Sequence, residues 1–206
     1  MTIDAGSGVV WEAWRDLERG GLLPVQEERL PVFERTRRFR AYSPTLVCGL
    51  LQTAAYTEDV LRNVRTRRDV PDDVMEAVAS RMTRQRVLLD RGKEFAFLIE
   101  EHVLRNAVGD ARTQVEQLDH LLTTAELPHV RLGIVPGGLG RARVAPEGFW
   151  VYDSDAASVE LVSGYLRLTA PADVQAYADV FAELDGMAAH DDEALALIAR
   201  ARAAFA

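Results

Sequence analysis

Two apolar runs, Phe95-Ala-Phe-Leu-Ile99 and Val130-Arg-Leu-Gly-Ile-Val135, flank a stretch in which Val115, Leu118, Leu122 and Ala125 recur at helical spacing. Strand, helix and strand in that order predict a parallel β-α-β crossover, because parallel neighbours need a long connection that a tight hairpin cannot supply. After it, Gly148-Phe-Trp-Val-Tyr-Asp153, Ser158-Val-Glu-Leu-Val162 and Tyr165-Leu-Arg-Leu168 are short β-patterned runs separated by turn residues, which predict an antiparallel extension of the same sheet. The expected fold class is α+β. Residues 1–92 form an N-terminal helical layer, residues 93–170 a small mixed sheet with the crossover helix, and residues 171–206 C-terminal helices covering a face of it. With 206 residues and 48% hydrophobic composition, one sizeable core suffices, and residues 1–206 are expected to form a single domain.

Within the helical layer, Val9, Val10, Trp11, Trp14 and Leu17 predict a first helix ended by Gly20-Gly21. Residues 29–40 hold five arginines against one glutamate, with Phe33 and Phe39 interleaved, and read as a helix with a solvated basic face. Pro71-Asp72-Asp73 with Glu76 has the form of a capping box, and Met75, Val78, Met82 and Leu89 keep helical spacing to an Arg91-Gly92 stop. Thr169 and Pro171 open a helix whose apolar face is Val174, Tyr177, Ala178, Phe181, Leu184 and Ala188. An Ala-rich helix follows over 191–205.

The most distinctive stretch is Tyr42-Ser-Pro-Thr-Leu-Val-Cys-Gly-Leu-Leu-Gln-Thr-Ala-Ala-Tyr-Thr-Glu-Asp-Val-Leu61. Gly49 offers a backbone conformation closed to other residues, Gln52 or Thr53 can accept from the free amides of a first helical turn, and Leu50, Leu51, Tyr56, Val60 and Leu61 supply its buried side. Arg62, Arg65, Arg67 and Arg68 suit the negative end of that helix. The stretch resembles the "vPGLLQTxxYAxxxL" signature of an actinobacterial domain of unknown function that usually follows a Cro/repressor-type helix-turn-helix in regulators of differentiation and antibiotic production. Gly49, Leu50, Leu51, Gln52, Thr53, Tyr56 and Leu61 fit, while Cys48 stands where the signature has proline. Glu100-Glu-His-Val-Leu-Arg-Asn-Ala-Val-Gly109 resembles the family's "EExxLRxxVG" segment and Glu160 the glutamate of its "vYvE" motif, with Ser158 in place of tyrosine. The resemblance implies a regulatory or secondary-metabolism setting. Only about ten residues precede Trp11, whereas a helix-turn-helix needs on the order of 50, so a free-standing domain is expected.

Net charge is −8, and it is unevenly placed: residues 1–92 carry 15 Arg and 14 Asp/Glu, residues 93–206 nine Lys/Arg and 18 Asp/Glu. That balance disfavours general binding to a phosphate backbone, and no specific DNA binding is expected. One cysteine cannot form an internal disulfide, and the start of the chain lacks the pattern of a secretory leader. No run reaches the length of a membrane span, so a cytoplasmic protein without a membrane partner is expected. The four histidines show no recognised ligand spacing, so neither metal nor cofactor is expected.

Two functions from different classes fit these residues. One is a small-molecule-binding or protein-interaction domain, with a homodimer open to it, whose ligand meets Gln52, Trp150, Tyr42 and Arg105. The other is a cofactor-independent enzyme, a cyclase or isomerase of a natural-product pathway. Glu101, His102 and Glu160 would then carry protons, and Cys48 would serve as a nucleophile if a neighbour stabilised its thiolate. Glu101 and His102 follow a strand whose carboxyl end is a usual ligand position in open sheets. Together with Trp150 and Glu160 they are expected to border one pocket with Cys48 and Gln52.

Overall fold

The computed structural model describes residues 8–138 and 140–205. The start of the chain, Met1–Ser7, where no secretory leader was expected, lies outside the described residues, as does Leu139 of the Pro136–Gly140 connection. The fold is α+β, built on one seven-stranded sheet in the order β1-β7-β6-β5-β2-β3-β4. In chain order the elements are β1 (Val9–Ala13), α1 (Trp14–Leu17), α2 (Leu23–Glu28), α3 (Leu30–Arg35), β2 (Arg38–Ser43), α4 (Ala54–Arg68), α5 (Val74–Gln85), β3 (Glu94–Glu100), α6 (Ala111–Ala125), β4 (Val130–Val135), β5 (Phe149–Tyr152), β6 (Ala156–Glu160), β7 (Gly164–Leu168), α7 (Pro171–Asp185) and α8 (Asp191–Ala203).

The crossover is present: β3 and β4 pair in parallel around α6, with Phe95 opposite Val130 and Ile99 opposite Ile134. A second parallel pair, β2 with β3, is bridged by α4 and α5. On its other edge β2 pairs antiparallel with β5, and β5, β6, β7 and β1 continue antiparallel. Side chains alternate across the sheet, as a pleated strand requires. Phe39, Ala41, Phe95, Phe97, Ile99, Leu132 and Ile134 face a core shared with α4, α6 and α8. Tyr42, Leu98, Val135, Val151 and Val159 face a second core closed by Val174, Phe181 and Leu184 of α7. The two C-terminal helices therefore cover opposite faces of the sheet.

Two expected helices are strands. The arginine-rich helix expected over residues 29–40 gives way at its end to a strand over Arg38–Ser43, where Arg-Phe-Arg-Ala-Tyr-Ser alternates with period two. Phe39 lies in the core stacked on Phe95, ring centroids 4.9 Å apart. α3 stops at Arg35, and Thr36 is already extended. Residues 9–13 also pair as a strand, with Val9 opposite Leu168, and only Trp14–Leu17 is helical. Their β-branched Val9-Val10 start favours the pleat once a partner strand is at hand. α5 ends at Gln85 and gives way to a 3-10 turn over Arg86–Leu89. Its buried side is Val74, Ala77, Val78 and Arg84, while Met75 and Leu89 of the expected face are 55% and 74% exposed. Asp73 makes no capping bond to its own helix. Its carboxylate accepts from the amides of Leu22 and Leu23 at 2.8 and 2.7 Å, so it holds the start of α2 against α5. The glycine-rich connection after β4 is held by its arginines, Arg141 on Glu100 and Arg143 on Glu183.

Candidate functional site

The long turn between β2 and α4 is fixed from within. Thr53 caps α4 by accepting from the Tyr56 amide at 3.2 Å, and Gln52 is buried with its amide group pointing back along the turn. Gln52 Nε2 donates to the Val47 carbonyl at 2.7 Å, and its Oε1 accepts from Thr57 Oγ1 at 3.1 Å and from Arg81 Nη1 at 2.6 Å. Gln85 Nε2 donates to the carbonyls of Gly49 and Gln52 at 2.8 and 2.7 Å. Gly49 is absent from the positions with positive φ, contrary to expectation. What it supplies is room: a side-chain carbon there would meet Arg84 Nη2 at 3.4 Å.

Beside this turn lies a cavity of about 320 Å³ between α2, α4, α5 and the sheet. Phe33, Trp150, Tyr152 and Trp14 give it aromatic walls, with Phe33 and Trp150 centroids 5.6 Å apart. Five arginines line it (Arg29, Arg67, Arg68, Arg81 and Arg84) against two acids, Glu18 and Glu160. Arg29 donates to Glu160 at 2.7 Å and lies over the Tyr165 ring, while Arg68 pairs with Glu18 and lies over Trp14. Arg81 Nε reaches Gln26 Oε1 at 3.1 Å. Arg84 sits over Phe33, 4.9 Å from the ring centre, with a long contact of 3.5 Å to the Gln26 carbonyl and no partner for Nε among the described residues.

Burial pushes Arg84 down to about 9, with the like charges of Arg81 and Arg29 adding to it, and pushes Arg81 down to about 10. Both remain cationic at neutral pH. Burial tends to raise the Glu160 carboxyl, but Arg29, Arg81 and Arg84 together outweigh it and hold the group below the usual carboxylate range. Burial drives the Cys48 thiol up to about 12, against small opposing contributions from the Leu50 and Leu51 amides.

Cys48, Gln52, Tyr42, Trp150 and Glu160 all line this cavity, although they come from four separate elements and turns. Glu101, His102 and Arg105 are not among its lining residues; they occupy a 3-10 turn after β3. There Glu101 accepts from the Gly137 amide at 3.0 Å and His102 Nε2 meets the Pro44 carbonyl at 2.7 Å. Their neighbour Glu100 is buried and accepts from Tyr42 Oη at 2.6 Å and from both terminal nitrogens of Arg141. Sequence reasoning placed Arg29 on a solvated basic face and passed over Arg81, Arg84 and Gln26. The signal for Arg81 was its place one turn beyond Ala77 and Val78, on the buried side of α5. Among the described residues no three His, Cys, Asp or Glu side chains converge as a metal ion would require, and no helix is long and apolar enough to cross a membrane.

A family model described as "Domain of unknown function (DUF5753)" matches residues 31–200. No curated protein matches. Among solved structures the chain is similar to Nuc, a phospholipase D family member from Salmonella typhimurium, at 8% identity and TM-score 0.45 over 89% of this chain and 97% of that one. It is similar to NucT from Helicobacter pylori at 9% identity and TM-score 0.48, over 89% and 98%. TrmBL2, an archaeal chromatin protein, aligns at 11% identity and TM-score 0.45, over 90% of this chain and 55% of that one.

Proposed function

Because the chain belongs to the DUF5753 family, a domain of unknown function, its role has to be argued from its own cavity, and we propose that it is a non-catalytic domain that binds a small molecule there. The observation that carries this reading is convergence. A buried glutamine amide, aromatic walls and charged groups drawn from residues 14 to 160 meet around one space of about 320 Å³, within the usual size range of ligand sites. Gln52 and Trp150 are the contacts assigned to the ligand; Tyr42, whose ring packs in the core on the α7 face and whose hydroxyl is taken by Glu100, and Arg105 are not.

Catalysis is the weaker reading. The buried thiol of Cys48 is held protonated, Glu160 is engaged by Arg29, and Glu101 and His102 stand outside the cavity lining. The proposed setting is a regulatory or secondary-metabolism system of the actinobacterial type, in the cytoplasm, without sequence-specific reading of DNA.

A thermal-shift screen of small metabolites tests the reading, run in parallel on the wild type and Trp150→Ala. A ligand at about 100 times its Kd contributes ~2.7 kcal/mol, which raises Tm by about 5–10 °C in a chain of this size. The expected result is a set of compounds that stabilise the wild type and not the variant. If every stabilising compound acts equally on both proteins, the cavity is not the binding site.

A further inference from the structure

The charges in the cavity do not balance. Glu160 is taken by Arg29 and Glu18 by Arg68; of the other three arginines, Arg67 is exposed to solvent, which leaves Arg81 and Arg84 facing only amide and carbonyl oxygens among the described residues. Amide oxygens orient a guanidinium but do not neutralise it. Glu160 cannot serve all three neighbouring arginines: its single charge already sits 2.7 Å from Arg29, and Arg81 and Arg84 feel it only at longer range. Arg84 is only 6% exposed, and its Nε has no partner. A buried charge without a counter-charge is among the costlier features a fold can carry. Here it occurs in a protein whose net charge is −8.

We propose that the missing partner is the ligand: an organic oxyanion, carboxylate or phosphate, whose charged end sits on Arg81 and Arg84 and whose flat apolar body lies against Phe33 and Trp150. The proposal rests on the cavity being the binding site. Arg81 and Arg84 are three residues apart on α5, so their heads project from one face. Arg81 is already oriented by Gln26 and Gln52, so little side-chain freedom remains to be lost on binding. A guanidinium fork matches the paired oxygens of a carboxylate or phosphate, and a site away from bulk water strengthens the pairing. The stacked aromatic pair Trp150 and Tyr152, with Phe33 across from them, offers a planar body the complementary surface.

The test pairs charged probes with neutral isosteres: indole-3-acetate against indole-3-acetamide, and phenyl phosphate against phenol, titrated by calorimetry into the wild type, Arg84→Gln and Arg81→Gln. Each variant's fold is checked by circular dichroism. In the wild type the anion of a pair is expected to bind on the order of 10–100 times more tightly than its neutral partner, and each variant should erase most of that ratio while still binding the neutral probe. Which pair shows the larger ratio separates carboxylate from phosphate. A second measurement does not depend on choosing a good body. Inorganic phosphate should raise the Tm of the wild type above that in chloride at equal ionic strength, whereas Arg84→Met should be at least as stable as the wild type without ligand and indifferent to phosphate. Equal binding of acid and amide would overturn the oxyanion while leaving the cavity reading intact. Loss of stability in Arg84→Met together with no phosphate effect would also overturn it. If neither member of any pair bound and the metabolite screen did not separate wild type from Trp150→Ala, the cavity reading itself would fall.

Discussion

Cys48 shows how far a single residue's chemistry is set by where it lies. In a sequence it is a lone thiol at a turn, open to a nucleophilic reading. In the fold it is packed into the core, and burial raises its pKa to about 12. Ellman's reagent at pH 8 is therefore expected to find no fast-reacting thiol in the native protein and one after unfolding in guanidinium. Rapid native labelling would mean that the turn opens. Trp14 makes the opposite case, since its importance was legible from size alone. It is buried, donates Nε1 to the Leu161 carbonyl at 2.8 Å and carries Arg68 on its ring face. Trp14→Ala is expected to cost about 3–5 kcal/mol, read as a fall in the urea midpoint with unchanged slope. Arg84 was illegible, and Arg81 was marked only by its place one turn beyond Ala77 and Val78, because an arginine on a helix normally signals solvent. Nothing in their neighbours says that Gln26, from a helix more than 50 residues earlier, will arrive to orient them.

At the level of elements, local signals decided correctly where the partner was also local. The β3-α6-β4 unit, the three antiparallel strands and the Thr53 cap all have their determinants within a few residues or one connection. β1 and β2 failed for the contrary reason: Val9 pairs with Leu168, and Phe39 with Phe95 and Tyr152, all distant in the chain. Short runs mixing arginine with phenylalanine, or valine with tryptophan, satisfy helical and strand periodicities almost equally. Asp73 belongs to this scale too, since it opens α5 and yet caps α2. Asp73→Ala is expected to cost about 0.5–2 kcal/mol, and Asp73→Asn, which keeps an acceptor, much less of it. Equal losses in urea titrations of the two variants would show that the charge, not the acceptor geometry, carries the contact.

For the molecule as a whole, stability should depend on pH through a half-buried imidazole. His120 on α6 has a pKa below its usual 6.5, mainly because burial disfavours its charged form, with Glu116 opposing in part, and its Nε2 has no partner among the described residues. The unfolded chain takes up that proton near 6.5 while the folded one resists, so its contribution is fully present above 6.5 and is lost as pH falls through the lowered folded value. Between pH 7.5 and 5.5 the wild type should lose more stability than His120→Asn; parallel losses would remove His120 from the account. The order of strands has a further consequence, in time. α5 and its two uncompensated arginines leave the ribosome roughly 80 residues before Glu160, an interval on the order of 4–15 s. For most of that interval the aromatic wall contributed by β5 does not exist. A ligand therefore cannot template the early chain. It meets only chains in which β5 has been made, and its abundance would be registered in how long folded molecules persist rather than in how many are made.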